Sequence, residues 1–93
     1  MALLDLLGRR WVLRVLWELR QPVANFRELQ GRCDDMSSSV LAQRLSELRD
    51  AGLVASESGG GYALTSHGAE LLDVLLPLNE WADRWARRQG RRA

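Results

Sequence analysis

The chain has 93 residues, of which 46% are apolar and 27% charged, and its formal net charge is +1, so we expect one small domain with a modestly stable core. No apolar run reaches the roughly 20 residues that a membrane-spanning helix needs, which excludes a membrane partner. The single cysteine, Cys33, excludes an internal disulfide framework and favours the reducing cytoplasm.

The first predicted helix covers residues 9–20. Apolar side chains surround most of it, and only Arg14 and Glu18, four residues apart, mark a solvent-facing side where they can pair. Pro22 ends the helix, because a proline disfavours the helical conformation at the residue before it. A helix this apolar is expected to be buried from more than one direction, either at the centre of the domain or against a second subunit.

Two helices joined by a tight turn are predicted in residues 25–51. The first covers residues 25–33, where Asn25 is the expected N-cap and Glu28 completes a capping box. The second opens at a serine triplet, since a serine oxygen can accept hydrogen bonds from the unpaired amides of a first helical turn, and it ends at Gly52. Its apolar face carries Leu41, Leu45 and Leu48. Its opposite face is short and polar and carries Ser39, Ala42, Gln43, Ser46 and Asp50.

A short β-hairpin, the wing, is predicted in residues 53–65. Alternating side chains on either side of a glycine run favour two antiparallel strands with a very short connection. The tip of the wing consists of Ser58, Gly59 and Gly60 and carries no arginine.

The period becomes helical again from residue 66 to about residue 88. Large apolar side chains recur there at alternating spacings of three and four, which is typical of a coiled-coil seam. Pro77 lies inside this helix and is expected to bend it. The seam consists of Leu71, Val74, Leu78, Trp81 and Trp85.

The order of these elements predicts a mainly α fold with a small β-hairpin. It is a single winged helix-turn-helix domain over residues 1–93, with a long C-terminal dimerisation helix. In such folds the second helix of the helix-turn-helix enters the major groove of double-stranded DNA. Short side chains let its backbone approach the bases, Gln43 can pair with adenine, and Arg44 can reach phosphate or guanine. The candidate DNA-binding residues are Ser37, Ser38, Ser39, Ala42, Gln43, Arg44, Arg27 and Arg49, together with the wing tip.

The chain also resembles HxlR-type winged-helix transcription regulators. The matching segments are "LLGRRWVLRVLWEL", "NFREL", "SSSVLAQRLSELRDAGLV" and "GYALTSHGAELL", and the resemblance spans roughly residues 3–85. It implies a homodimeric, sequence-specific regulator that binds a roughly palindromic operator and dimerises through its N-terminal segment and its C-terminal helix. The expected interface residues are Leu3, Leu4, Leu7, Leu71, Val74, Leu78, Trp81 and Trp85.

Three features differ from the family pattern. The wing tip is short and lacks arginine, so we expect no insertion into the minor groove. Cys33 lies away from the position before the Leu-Gly-x-x-Trp segment, where family members commonly carry a redox-sensing cysteine. Residues 23–58 carry four arginines against six carboxylates, whereas phosphate neutralisation normally supplies most non-specific affinity for DNA. A winged-helix protein-interaction module that does not bind DNA specifically therefore stays open as an alternative.

All four tryptophans lie on the first and last predicted helices. Bulky rings on crossing helices pack imperfectly where a proline bends one of them, and the resulting gap would suit a small apolar or aromatic effector. The pocket predicted in this way is lined by Trp11, Trp17, Leu78, Trp81 and Trp85. The alternative is a filled tryptophan core without a cavity.

Residues that would support catalysis are few. His67 and Cys33 are the only histidine and cysteine, and neither belongs to a metal-ligand spacing. The glycine run at 59–61 lacks the lysine of a phosphate-binding loop. The sequence therefore predicts neither an enzyme nor a bound cofactor or metal.

Overall fold

The computed structural model describes residues 2–90, and Arg91 and Arg92 of the basic tail lie outside this range. The elements in chain order are α1 (Ala2–Leu7), α2 (Val12–Glu18), α3 (Phe26–Arg32), α4 (Ser38–Asp50), β1 (Val54–Ser56), β2 (Tyr62–Leu64) and α5 (Ser66–Gly90). The described chain is mostly helical with one antiparallel hairpin and a long C-terminal helix, so the predicted winged helix-turn-helix fold is confirmed.

The predicted helix over residues 9–20 is wrong at its beginning. Trp11 has a φ angle of 78°, in the left-handed region, so α2 begins only at Val12. Residues 2–7 form the separate helix α1, which ends where the Gly8 amide donates to the carbonyl oxygen of Leu4 at 3.0 Å. We call residues 8–11 the connector, because they join two short helices where the sequence pattern predicts one.

The capping pattern at the beginning of α3 is confirmed with one difference. The Asn25 side-chain oxygen accepts from the Glu28 amide at 2.8 Å, as a capping box requires. The Glu28 carboxylate, however, accepts from the amide of Ala24 at 2.7 Å instead of the amide of the cap residue itself. The following tight turn passes through Asp34 and Asp35, both with positive φ angles, which short polar residues tolerate better than most.

Helix α4 begins and ends as its sequence indicates. The Ser37 hydroxyl accepts from the Val40 amide at 3.4 Å. At the other end, Gly52 has a φ angle of 78°, its amide donates to Arg49, and the Leu53 amide donates to Leu48, which is the Schellman pattern.

The core lies between α2, α3, α4 and the hairpin. The apolar face of α4 is fully buried in this core, and its packing there holds the helix in place. The buried residues are Val12, Val15, Leu16, Leu19, Val23, Leu29, Cys33, Met36, Leu41, Leu45, Leu48, Leu53 and Val54.

The hairpin pairs Val54 with Leu64 and Ser56 with Tyr62, and its tip is closed by a bond from the Glu57 amide to Gly61. A backbone contact that the sequence pattern did not predict extends the hairpin beside β2. Val23, in the loop after α2, exchanges two backbone hydrogen bonds of 3.1 Å with Tyr62. The wing is thereby attached to the loop between α2 and α3.

Helix α5 begins at a tightly bonded junction with the hairpin and continues through Pro77. The Thr65 hydroxyl donates to the Gly52 carbonyl at 2.6 Å and accepts from the Gly68 amide at 3.0 Å, so Thr65 caps this helix. Among residues 2–90, no helix is both long and apolar enough to cross a membrane.

Candidate DNA-binding surface

The exposed face of α4 is composed of short polar side chains. It lies opposite the buried leucines, and each of its members is exposed to solvent. These residues are Ser38, Ser39, Ala42, Gln43 and Ser46. The hydroxyl groups of Ser37 and Ser39 lie 3.0 Å apart at the N-terminal end of the helix. Side chains this short let the helix backbone come close to a partner surface, and the amide of Gln43 is the longest polar group on the face.

A shallow groove of about 650 Å³ separates the N-terminal ends of α3 and α4. It is lined by Asn25, Phe26, Arg27, Gln30 and Ser38. The side chain of Gln30 donates to the Met36 carbonyl at 2.8 Å and so holds the intervening turn. Arg27 is exposed on this groove, and it therefore shares one surface with the serines of α4.

Arg44 is held by contacts within its own chain. Its Nε donates to the carbonyl oxygen of Arg10 at 2.8 Å, and its Nη1 lies 2.8 Å from a carboxylate oxygen of Glu47. The side chain is only 15% exposed. In the single chain its guanidinium is therefore turned back onto the connector, and the contact with phosphate or guanine stays a prediction.

Arg49 has a similar structural attachment at the far end of α4. Its Nη1 donates to the Ser56 hydroxyl at 2.8 Å, which ties the last turn of the helix to β1. Of the three arginines assigned to DNA from the sequence, Arg27 is therefore the one that lies with the polar face of α4.

The acidic excess of residues 23–58 is partly neutralised within the fold. Glu28 pairs with Arg32 at 2.9 Å, Asp34 pairs with Arg14 at 3.0 Å, and Glu47 is paired as well. The hydrogen bond from the Ala24 amide, followed by the charge of Arg32, holds the pKa of Glu28 below its usual value. Three of the six carboxylates thus carry an arginine partner. Arg14 at Asp34 and Arg9 at Glu47 come from outside residues 23–58, so these two arginines offset the excess of two negative charges. The wing tip at residues 58–60 is exposed and adds no charge.

A second groove, of about 490 Å³, lies between α2 and α5. Its lining is mostly apolar and consists of Leu13, Arg14, Trp17, Leu72, Leu75, Leu76, Leu78, Asn79 and Ala82. Only Trp17 and Leu78 of the predicted effector pocket line it. The other three predicted lining residues lie elsewhere. Trp11 packs against the core, and Trp81 and Trp85 stack on one another with ring centroids 6.3 Å apart.

The residues expected at a dimer interface fall into two groups. Leu7 and Leu71 pack against the core of their own chain. The remaining six are exposed by 41% to 67% of their surface, namely Leu3, Leu4, Val74, Leu78, Trp81 and Trp85. Leu13, which the sequence pattern places inside the first helix without assigning it a role, is 46% exposed and adds to this apolar surface.

Cys33 is fully buried at the end of α3. Burial raises the pKa of its thiol to about 11, so the group stays protonated at neutral pH. Within residues 2–90, no group of three or more histidine, cysteine, aspartate or glutamate side chains is arranged to hold a metal ion.

Comparisons with known proteins agree with this arrangement. The chain matches the family model described as HxlR-like helix-turn-helix over residues 6–90. It is 28% identical over 89 residues to the uncharacterised HTH-type transcriptional regulator MJ0925 of Methanocaldococcus jannaschii. The matched region covers 91% of this chain and 83% of that protein. It is 30% identical over 87 residues to the uncharacterised HTH-type transcriptional regulator YvaP of Bacillus subtilis, with coverages of 87% and 81%.

Solved structures share the fold over nearly the same range. A possible HxlR family transcriptional factor from Thermoplasma volcanium has a TM-score of 0.80 at 31% identity, covering 90% of this chain and 81% of that one. Quinone-bound YodB from Bacillus subtilis has a TM-score of 0.80 at 31% identity, with coverages of 89% and 92%. Sequence and fold therefore agree that the chain belongs to the HxlR-like helix-turn-helix family of DNA-binding transcriptional regulators.

Proposed function

We propose that the protein acts in the cytoplasm as a homodimer that binds a roughly palindromic operator and reads it with α4, which we call the recognition helix. The observation that carries this proposal is the two-sided character of α4. Its leucine face is fully buried, while the face that carries Ser39, Ala42 and Gln43 is exposed and free of bulky groups. A helix built in this way can enter a major groove without loss of core packing.

The exposed apolar stripe on α5 supports the homodimer. Val74, Leu78, Trp81 and Trp85 recur along one side of a helix of 25 residues, and each has about half or more of its surface exposed. A soluble monomer rarely leaves so continuous an apolar surface in water, and a two-fold axis would cover it on both chains at once. Two recognition helices would then enter successive major grooves.

The test is a selection of operators from random-sequence duplex DNA, followed by affinity measurements on Gln43→Ala. A glutamine amide that pairs with a base contributes about 1–3 kcal/mol of discrimination, so this variant should lose preference at one or two positions in each half-site. Affinity for random DNA should change little. Gln21→Ala is the matched control, because Gln21 is an exposed glutamine in the loop after α2.

Equal losses for Gln43→Ala on selected and random DNA would remove Gln43 as a base reader. If the wild type selects no sequence at any salt concentration, the proposal itself fails. The alternative, a winged-helix module that binds a protein partner, would then be the better account of the exposed polar face of α4.

The groove between α2 and α5 supports a second function, a response to a small planar apolar ligand. Its lining includes the indole ring of Trp17, and Arg20 already places its guanidinium carbon 3.5 Å from the centroid of that ring. YodB, a structural neighbour, is a protein with a quinone-bound form. A ligand in this groove would act only through unequal affinity for two arrangements of α5.

Tryptophan fluorescence titrated with planar hydrophobic compounds tests this response. Quenching in the wild type that disappears in Trp17→Phe, together with a change in operator affinity, is the expected result. A panel of compounds that neither quenches the fluorescence nor alters operator affinity would rule the response out.

A further inference from the structure

Glu47, on the recognition helix, binds two arginines with its two carboxylate oxygens. One oxygen lies 2.8 Å from Nη1 of Arg44, one turn earlier on the same helix. The other lies 2.9 Å from Nη1 of Arg9, which is 38 positions away in the connector. A single carboxylate therefore joins the recognition helix to the segment that precedes α2.

Arg44 makes a second, independent attachment to the same segment. Its Nε donates to the backbone carbonyl of Arg10 at 2.8 Å, so the connector is held both through a side chain and through its main chain. The side chains of Arg44 and Glu47 are 15% and 21% exposed, so this ion pair is less accessible to solvent than an ion pair on the protein surface. We call Arg9, Arg44, Glu47 and the Arg10 carbonyl the connector clamp.

The connector is a segment whose conformation needs such support. Trp11 has a φ angle of 78°, a conformation that a bulky residue adopts only when its surroundings impose it. The Val12 amide donates to the Arg9 carbonyl at 3.2 Å, and the Val15 amide donates to the carbonyl of Trp11, so the connector also sets where α2 begins. On its other side it carries α1, whose Leu3 and Leu4 are exposed.

We propose that Glu47 and Arg44 are positioning residues that set the direction of α1 relative to the recognition helix. The proposal rests on the proposed function, in which α1 contributes to the dimer interface and α4 reads the DNA. In a dimer assembled partly through α1, the angle between α1 and α4 decides how far apart the two recognition helices lie. The connector clamp is then a determinant of half-site spacing, and Arg44 contributes to DNA recognition without contacting DNA.

The experiment compares Glu47→Ala with Asp50→Ala. Each variant removes one carboxylate from α4, so any general change in attraction to phosphate is shared, and only Glu47 belongs to the connector clamp. The DNA readout is affinity for an operator selected by the wild type and for versions with one base pair added to or removed from its centre. The wild type and Asp50→Ala should prefer the original spacing, whereas Glu47→Ala should lose about tenfold of that preference.

A readout that needs no DNA separates this proposal from the proposed function. Amide hydrogen exchange at Val12 should become about tenfold faster in Glu47→Ala and stay unchanged in Asp50→Ala. A wild type without DNA binding would overturn the proposed function, while the exchange result would still decide whether the clamp holds the connector. Retained spacing preference or unchanged exchange in a folded Glu47→Ala variant would overturn the positioning role. If Glu47→Ala does not fold, Arg9→Ala is the second variant, because it breaks only the exposed arm of the connector clamp. It should shift spacing preference and Val12 exchange in the same direction as expected for Glu47→Ala. Unchanged values of both in Arg9→Ala would also overturn the positioning role.

Discussion

Because the thiol of Cys33 is buried, we expect the free energy of unfolding to decrease at alkaline pH. Desolvation raises its pKa to about 11 from an ordinary value of 9.0, although the charge of Arg14 acts in the opposite direction. A group whose pKa is higher in the folded protein than in the unfolded chain makes its full contribution to stability at pH values below the pKa of the unfolded chain. This contribution is lost as the pH rises through the pKa of the folded protein. The window is therefore from about pH 9 to about pH 11.

Comparison of the wild type with Cys33→Ala tests this dependence, because every other titrating group is common to both. We expect the free energy of unfolding of the wild type, relative to the variant, to fall by about 2 kcal/mol between pH 8 and pH 11. Urea denaturation at several pH values measures the difference. A difference that stays constant with pH would show that the thiol titrates normally in the folded protein.

Single residues also show what sequence patterns leave out. Arg44 follows Gln43 on the helix that the sequence predicts to read DNA, and its attachment to the connector has no signal in that pattern. The carbonyl that it binds belongs to Arg10, and no local pattern connects positions 34 apart. Trp11 is similar, because a left-handed residue without glycine leaves no sequence signal and the apolar pattern of residues 9–20 continues through it.

The elements themselves were predictable wherever a local signal fixes an end. Ser37 and Gly52 determine the beginning and end of α4, and the capping pattern of Asn25 determines the beginning of α3. The pairing of Val23 with Tyr62 depends on a long-range backbone contact and could not be predicted from either segment. The groove residues of α5 other than Leu78 were missed for a related reason, since the face that turns toward α2 depends on how the hairpin directs the helix.

The junction between the hairpin and α5 leads to a prediction at this scale. A β-carbon on Gly68 would collide with the backbone carbonyl oxygen of Leu53, which also accepts the Thr65 amide and cannot move freely. Gly68→Ala should therefore destabilise the fold by about 1–3 kcal/mol, as overpacking at a rigid site does. Thermal or urea unfolding measures the change.

Gly31→Ala provides the control for this substitution. Gly31 lies in α3, and the nearest atom to an added β-carbon is a side-chain oxygen of Asp35 at 3.9 Å. An alanine there has room and favours the helix, so we expect stability to stay equal or to rise by up to about 1 kcal/mol. If both variants unfold like the wild type, the close approach of α5 to Leu53 is not rigid.

At the scale of the whole molecule, α5 has two apolar faces that differ in exposure. One face, with Leu72, Leu75 and Leu76, borders the groove with α2 and is half-buried. The adjacent stripe is exposed within a single chain, and its stacked Trp81 and Trp85 rings contact each other instead of the core. In the proposed homodimer, the second chain would cover this stripe, which accounts for apolar residues on α5 beyond those that pack within one chain.

The final prediction concerns this stripe. Val74, the first residue of the stripe, is 67% exposed, so Val74→Glu should leave the fold of one chain intact while it places a carboxylate in the proposed apolar contact between two chains. Sedimentation at micromolar concentration should show a dimer for the wild type and a monomer for the variant, and the variant should bind operator DNA far more weakly. Ala69→Glu is the charge-matched control, because Ala69 is exposed and helical periodicity places it on the opposite side of α5. A wild type that sediments as a monomer, or a Val74→Glu variant that remains a dimer, would mean that α5 does not form the interface and that a palindromic operator need not be expected.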